Sequence, residues 1–311
     1  MKVLVTCPPM LRLIDEFREE FAGKGIELLT PDVVQILTED ELVELVPEVD
    51  GWIIGDDPAT ERVFTAGKNG QLRAAVKWGV GIDNVDFNAC KKLGIPVTNT
   101  PQMFGEEVGS LAVHYLIGLA RETFLIDRGV RAGQWLKPAG ISLAGRTASV
   151  IGFGDIGKST ARLLRAFNLN IIVYDPYAAK TLEDEERYSF LQFPEQLGMA
   201  DFVIVTCSLT PQTRHLINRS TIEKMKDGVR IVNVSRGLVI DESALVEGLH
   251  SGKVYAVALD VFETEPLPVD SPLRKFDRCI FGTHNGSNTV DAVRRASKQA
   301  MKYLFEFLGV A

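Results

Sequence analysis

Three segments of the chain each carry one chemically capable side chain, the first two just after strand-like apolar runs and the third closing the series. Asn233-Val234-Ser235-Arg236-Gly237 is the first, Asp260-Val261-Phe262-Glu263-Thr264-Glu265-Pro266 the second, and Thr283-His284-Asn285-Gly286-Ser287 closes the series. An arginine can hold a carboxylate and polarise the carbonyl beside it, and a histidine can give a proton to a nascent alkoxide or take it back. A carboxylate next to that imidazole raises its pKa and fixes its tautomer, and Glu265 is the candidate. Together these are the needs of hydride transfer to a 2-keto acid. Taken singly, each residue has a plain alternative: a salt-bridge arginine, a solvated turn glutamate, a hydrogen-bonded loop histidine. Their joint occurrence at successive strand ends is what points to chemistry, because ligands of open parallel sheets bind outside the carboxyl ends of the strands.

A hydride needs a carrier, and Gly152-Phe153-Gly154-Asp155-Ile156-Gly157 supplies the signature of one. It follows the strand-like Thr147-Ala148-Ser149-Val150-Ile151 and precedes a helical pattern from Lys158 to Phe167. The first glycine permits the tight turn, the second lets backbone approach a pyrophosphate, and the third lets helix pack close to strand. Asp175 ends the next strand candidate, 175 − 157 = 18 residues after the third glycine. There its carboxylate can accept from both ribose hydroxyls and repel a 2′-phosphate, so NAD is expected rather than NADP. Tyr174 and Pro176 flank it and are expected near the same cofactor, while Lys180 and Arg187 are too far along the chain to argue the reverse. The plain alternative is a set of glycine turns in an unliganded α/β domain.

Positioning these residues requires two alternating strand and helix series, hence two parallel sheets. In the first, strands are expected at Val3–Val5, Glu27–Leu29, Trp52–Ile54, Ala74–Val76 and Pro96–Thr98. A helix should start at Thr38 with Glu41 at the capping-box position, and another should run from Asn84 to Leu93 and stop at Gly94. Glu106 to Arg131 reads as one long helix bridging the domains, with Leu111, Tyr115, Gly118, Leu119 and Glu122 on related faces. The second series has strands at Thr147–Ile151, Ile171–Tyr174, Phe202–Val205, Ile231–Val234 and Val254–Ala258. A last helix from about Thr289 to Leu308 should return to the first domain. The expected architecture is therefore α/β, with two doubly wound parallel-sheet domains. A flavodoxin-like substrate domain (1–100 plus 286–311) is expected to carry a Rossmann NAD domain (101–285) inserted within it.

Composition narrows the function classes. The 311 residues carry a net charge of −7, with 46% hydrophobic and 24% charged residues, which gives no electrostatic basis for binding nucleic acid or an anionic membrane. The start, Met1-Lys2-Val3-Leu4, shows no export signal, and no apolar run reaches the roughly 20 residues that span a bilayer. Cys7, Cys90, Cys207 and Cys279 are scattered and form no CxxC, as expected for reduced thiols in a cytoplasm, and no metal site is expected.

The motifs in order resemble the D-isomer-specific 2-hydroxyacid dehydrogenase family over nearly the whole chain. They include Gly79-Val80-Gly81-Ile82-Asp83-Asn84-Val85-Asp86, Asn99-Thr100-Pro101, Gly133-Gln134-Trp135, the glycine fingerprint, Thr210-Pro211-Gln212-Thr213, and the Arg, Glu and His segments. The resemblance implies that Val80 and Gly81, beside Gly79, offer backbone N–H groups to the substrate carboxylate, and that Arg236, Glu265 and His284 are the catalytic trio. It also implies that Asp260 meets the nicotinamide carboxamide and that Cys207, Ser208, Thr213, Val234 and Ser235 line the cofactor cleft, with Arg236, His284 and Ser287 at its reacting end. Val108-Gly109-Ser110 stands where many members read Val-Ala-Glu, Ser208 where proline is common, and Thr283 where proline usually precedes the histidine. These departures bear on loop geometry and hence on substrate preference.

The expected substrate is a small D-2-hydroxy or 2-keto acid such as glycerate/hydroxypyruvate, glyoxylate or a phosphoglycerate-like acid, with Trp78 as either a wall of its site or, equally, a buried core tryptophan. Phosphoglycerate enzymes of the family usually present Arg-Ser after the third strand. Here Gly55-Asp56-Asp57-Pro58-Ala59-Thr60 places two acids there, with Lys77, Arg73 and Arg62 near enough to compensate. With Ala311 closing the core, no regulatory domain is expected after it. Two alternatives accompany this reading: an NAD(H)-sensing corepressor-like binding protein, to which the resemblance extends, and formate or phosphite oxidation, against which Glu265 argues because formate enzymes carry glutamine there. Two crossings, near Asn99-Thr100-Pro101 and Gly286-Ser287, should let the lobes close and exclude water. Gly109, Ser110 and Gly118 on the long helix suggest close contact in a homodimer through the NAD domains, which the resemblance also implies.

Overall fold

The computed structural model describes all 311 residues, which divide into two units: Met1–Met103 with Asn288–Ala311, and Phe104–Ser287. In the first unit, strands β1 (Lys2–Val5), β2 (Glu27–Leu29), β3 (Gly51–Ile54), β4 (Ala74–Lys77) and β5 (Val97–Asn99) form a wholly parallel sheet in the order β2-β1-β3-β4-β5. That is the flavodoxin-like doubly wound order, reached because each strand is followed by a crossover that turns the chain back to the same end of the sheet.

In the second unit, seven parallel strands follow: β6 (Thr147–Ile151), β7 (Asn170–Tyr174), β8 (Ser189–Phe190), β9 (Phe202–Val205), β10 (Val229–Asn233), β11 (Val254–Leu259) and β12 (Ile280–Phe281). Their order, β12-β11-β10-β9-β6-β7-β8, is that of a Rossmann sheet with one added edge strand. Strands covered on both faces need apolar residues throughout, and Phe202-Val203-Ile204-Val205 is buried at every position. Val203, Val205, Ile231, Val257 and Leu259 share one core with Leu245 of the helix Glu242–Ser251.

Local signals act as expected at several element ends. Thr38 caps the helix Glu39–Leu45 through a reciprocal capping box with Glu41, and Gly94 closes Phe87–Leu93 in the left-handed region at φ 66°. The returning helix Val290–Leu308 starts on the Thr289 cap and lies on β3 and β4 of the first unit. It buries Val293, Met301, Leu304, Phe305 and Leu308, each apolar side chain contributing roughly 1.5–3 kcal/mol.

Three expectations are corrected. The helix foreseen from Asn84 begins only at Phe87, capped by Asp86, because Asn84 and Val85 are held out of it. The Asn84 side chain donates to the carbonyls of Gly55 and Asp57, and Val85 makes a β-bridge to Ala59. The single long helix is two, Gly105–Arg121 and Thr123–Arg131, broken at Glu122, which sits at φ 56°. Glu122 is buried there with its carboxylate accepting from the Tyr255 hydroxyl at 2.7 Å. Both helices belong wholly to the second unit, and the first packs on the helix Asp155–Ala166 rather than bridging the domains. Finally, Gly109 and Gly118 make their close approaches inside the unit: a Cβ on Gly109 would come 3.0 Å from Ser159, and one on Gly118 2.8 Å from Phe124. Their smallness serves internal packing, and Ser110 is exposed with its hydroxyl donating to the Glu107 carbonyl.

Candidate active site

At the carboxyl ends of β6 and β9 the second sheet reverses its strand order, and the glycine fingerprint lies there. Gly152 takes φ 95°, and a Cβ on it would meet Cys207 at 2.6 Å. A Cβ on Gly157 would stand 2.0 Å from the Gly152 carbonyl oxygen, so only glycine lets the helix start this close to the strand. Gly154 differs: it is exposed, its φ is ordinary, and an added Cβ would meet nothing within 4 Å. It caps the helix Asp155–Ala166, whose unpaired N–H groups and dipole favour an anion. Space and positive potential therefore coincide where a pyrophosphate would approach backbone, and the residues fit a dinucleotide.

Asp175 follows β7. Its Oδ2 accepts from the Phe153 N–H at 2.7 Å and its Oδ1 from the Tyr177 N–H at 2.8 Å. Each oxygen keeps a second lone pair for a ribose hydroxyl while the two backbone bonds aim the group. The flanking Tyr174 is a correction: its ring is buried against Phe193 and its hydroxyl donates to the Glu195 carbonyl, so it presents no side chain to a ligand. Pro176 and Asp155 are exposed and Ile156 is half-buried. Cys207 is half-buried, and burial, with Asp175 adding to it, pushes its thiol up to about 11, which keeps it protonated. Ser208 is exposed, and its carbonyl accepts from the Thr213 hydroxyl, which closes the Thr210–Thr213 turn.

The trio sits at the ends of β10, β11 and β12, which are neighbours in the sheet. After β10, Asn233 shapes the turn: its Oδ1 accepts from both the N–H and the hydroxyl of buried Ser235, and its Nδ2 donates to the Arg236 carbonyl. Val234 is buried and bonded through its N–H to Val205. Gly237 must be glycine, since a Cβ would lie 1.9 Å from the Phe262 carbonyl carbon. The Arg236 turn is thereby pressed onto the loop that carries Glu265.

That loop is fixed twice more. The Glu265 Oε1 accepts from the Phe262 N–H at 2.9 Å, and Glu242 and Glu263 exchange backbone-to-carboxylate bonds at 2.7 and 3.2 Å. Burial, with the charges of Glu263 and Glu265, raises the Glu242 pKa. The Glu265 Oε2 then meets the His284 Nδ1 at 2.8 Å, both side chains 21% exposed. This contact assigns Nδ1 to the carboxylate and leaves Nε2 as the nitrogen that can exchange a proton with substrate.

His284 itself takes φ 54°, in the left-handed region that few residues other than glycine occupy. Asp260, 2% exposed, holds it there: its carbonyl accepts from the His284 N–H at 2.6 Å and its Oδ2 from the Gly286 N–H at 2.8 Å. Tyr115 donates to the other carboxylate oxygen at 3.2 Å, and burial beside this acid raises the phenol pKa, so it stays a donor. A Cβ on Gly282 would fall 2.1 Å from that same oxygen. The aspartate expected at the nicotinamide is thus buried beneath the histidine loop. Ser287, which ends the loop, is half-buried. Tyr115, Asn233, Gly237, Glu242 and Gly282 carried no functional signal in the sequence; only the Gly after Arg236 could have been flagged, as a close approach.

In the first unit, the turn after β4 is anchored at Gly79, which takes φ 128°. Its N–H donates to the Thr100 hydroxyl at 2.8 Å and its carbonyl accepts from the Thr100 N–H, while Asn99 reaches the carbonyls of Gly79 and Val80. Val80 is exposed and Gly81 half-buried. Of the two readings of Trp78, the structure gives the core residue and not the open wall: it is 5% exposed and its indole N–H donates to Ser297 of the returning helix at 3.1 Å.

Comparison with known proteins gives one consistent answer. Residues 113–286 match the family model described as D-isomer specific 2-hydroxyacid dehydrogenase, NAD binding domain. A hydroxypyruvate reductase of Thermotoga maritima is 39% identical over 280 residues, 88% of this chain and 90% of that protein. A D-3-phosphoglycerate dehydrogenase of Archaeoglobus fulgidus is 35% identical over 94% of this chain, which spans only 54% of that longer relative. Among solved structures, the TT0316 protein of Thermus thermophilus superposes with a TM-score of 0.87 at 30% identity, covering 99% of this chain and 97% of that one. The apo-structure of D-lactate dehydrogenase from Escherichia coli gives 0.82 at 27%, over 97% and 95%.

Proposed function

The chain belongs to the D-isomer specific 2-hydroxyacid dehydrogenases, NAD-dependent oxidoreductases of small hydroxy and keto acids, and from that premise we propose that it reduces hydroxypyruvate or glyoxylate with Arg236, Glu265 and His284 as its catalytic residues. The 2.8 Å pairing of Glu265 with the His284 Nδ1 carries the reading. NAD(H), when bound by the Gly152–Gly157 turn and Asp175, supplies or takes the hydride. Arg236 holds the substrate carboxylate and polarises the keto oxygen. As the family resemblance implies, the turn Gly79–Gly81 offers backbone N–H groups of Val80 and Gly81 to a substrate carboxylate. The His284 Nε2 gives its proton to the keto oxygen as negative charge develops there, and Glu265 stabilises the imidazolium that precedes this step. Asp260, through Gly286 and the His284 backbone, keeps the imidazole at its station.

Asp175 supports NAD over NADP, because a 2′-phosphate would meet a fixed carboxylate. The four cysteines are free, three of them buried, which supports a cytoplasmic setting. No helix is long and apolar enough to cross a membrane. We also assign a homodimer through the second unit, supported by the exposed run that leaves Val130 49%, Trp135 80% and Leu136 37% open. Light scattering after size exclusion tests it, and a monomer at all concentrations overturns it.

NADH oxidation with hydroxypyruvate, glyoxylate, pyruvate and phosphohydroxypyruvate tests the activity. Arg236→Ala is expected to lose turnover and substrate affinity while still binding NADH, and His284→Ala to lose about 10²–10⁴-fold in kcat. Tight NADH binding with no turnover of any acid would sink the proposal in favour of a sensor.

A further inference from the structure

Behind the anchored Gly79 turn lies a buried cation. Lys77, the last residue of β4, is 2% exposed, and its ammonium donates to the Gly55 carbonyl at 2.6 Å and to the Asp56 Oδ1 at 2.9 Å. It reaches the turn itself: a Cβ built on Gly79 would sit 3.6 Å from the Lys77 Nζ. The Asp56 side chain is 38% exposed where that of Lys77 is 3% exposed, so the face the pair shows to solvent at this sheet edge is the carboxylate, with the ammonium beneath it. The remaining candidates for binding an anion here are committed elsewhere. Arg62 pairs with Glu39 and Asp40, and Arg73 lies by Asp50. Asp57, the second acid of the loop, is fully buried among its own donors, which leaves Asp56 as the acid shown to solvent.

We propose that the Asp56–Lys77 pair is a specificity determinant: it admits 2-keto acids whose third carbon carries a neutral hydrogen-bond donor, a hydroxyl above all, and turns away those carrying a phosphate or a second carboxylate. This rests on the reading of the Gly79–Gly81 turn as a holder of the substrate carboxylate, which places the next carbons of the substrate beside Asp56. A hydroxyl there donates to the carboxylate, whereas an anionic substituent meets like charge. Removing the carboxylate alone uncovers an ammonium already seated under the turn, a point charge suited to phosphate.

The test compares kcat/KM for phosphohydroxypyruvate with that for hydroxypyruvate, using NADH and the intact protein. The wild-type protein is expected to favour hydroxypyruvate at least about tenfold, and Asp56→Ser to move the ratio toward the phosphorylated acid by at least about tenfold. Adding Lys77→Met to Asp56→Ser should take that gain away. Asp56→Asn, which keeps the shape of the side chain, provides the same readout if the serine variant folds poorly. A wild-type preference for the phosphorylated acid, or a ratio within about twofold of wild type in both Asp56 variants, overturns the inference while leaving the reductase reading intact. Absence of turnover with every 2-keto acid overturns both.

Discussion

Each sheet reverses its strand order once, between β1 and β3 in the first unit and between β6 and β9 in the second, and open parallel sheets bind ligands at such reversals. Yet the two reversals are finished differently. In the first, Asp57 fills the place: 0% exposed, it accepts from the Leu37 N–H at 2.8 Å, the Gly55 N–H at 3.0 Å and the Thr6 hydroxyl. The same hydroxyl accepts from the Trp52 indole at 3.0 Å, which ties the plug to the core. In the second, glycines line the reversal and Gly154 leaves open space over a helix N-terminus. Topology creates a crevice at both; whether it can hold a ligand depends on whether its donors are already spent.

Removing the plug should have the largest effect. Asp57→Ala takes the acceptor of the Leu37 N–H away and leaves the Thr6 hydroxyl and the Gly55 N–H only their longer contacts at 3.4 and 3.3 Å, and is expected to cost about 3 kcal/mol of stability, read as a lower denaturant midpoint. NADH affinity of the protein that remains folded should stay near wild type, since Asp57 lies in the other unit from the fingerprint. A loss of NADH binding without a loss of stability would erase the distinction. The converse change, Gly154→Ala, puts a methyl into the open crevice. NADH Kd should rise about tenfold or more, roughly 1.4 kcal/mol, with the midpoint unmoved. An unaltered Kd would mean that the space is not where the pyrophosphate goes.

The smallest effect is the pH dependence of the plug. Burial raises the Asp57 pKa above its ordinary value, and the donors and Lys77 only partly oppose this. At pH below the ordinary carboxyl range both folded and unfolded chains hold this proton. As pH rises through that range the unfolded chain releases it first, so the contribution of Asp57 to stability falls until the raised folded-state value is passed. Thermal midpoints of wild type minus Asp57→Asn should therefore decline from about pH 4 upward and then level off. A difference that grows across this range would show that the donors outweigh burial.

Much of this was legible in the residues. Strands such as Phe202–Val205 are apolar at every position, the Thr38 box and Gly94 mark helix ends chemically, and Gly152 and Gly157 of the fingerprint announce a turn that no other residue tolerates at those two places. The segments of Arg236 and Glu265 were legible too, because each follows a recognisable strand, and the His284 segment closes the same series. What escaped depends on partners far along the chain. Glu122 breaks a helix because Tyr255 receives its carboxylate, and Asp260 faces inward because Tyr115, 145 residues away, meets it there. The strands Ser189–Phe190 and Ile280–Phe281 are two residues long and leave no period to read.

The helix Val290–Leu308 has a consequence for how the protein is made. It covers β3 and β4, and its Leu304 and Leu308 press to within 3.2 Å of where a Cβ on Gly51 would lie. A ribosome emits the five strands of that sheet well before their cover, with 184 residues of the other unit, 104 to 287, between them. Until that helix is made, the nascent sheet shows water the apolar face that Val293, Met301 and Phe305 will occupy, so the inserted unit can mature while its host waits. The order of synthesis thus makes the first unit the last to be completed, and its unfinished sheet the surface a chaperone would have to shield.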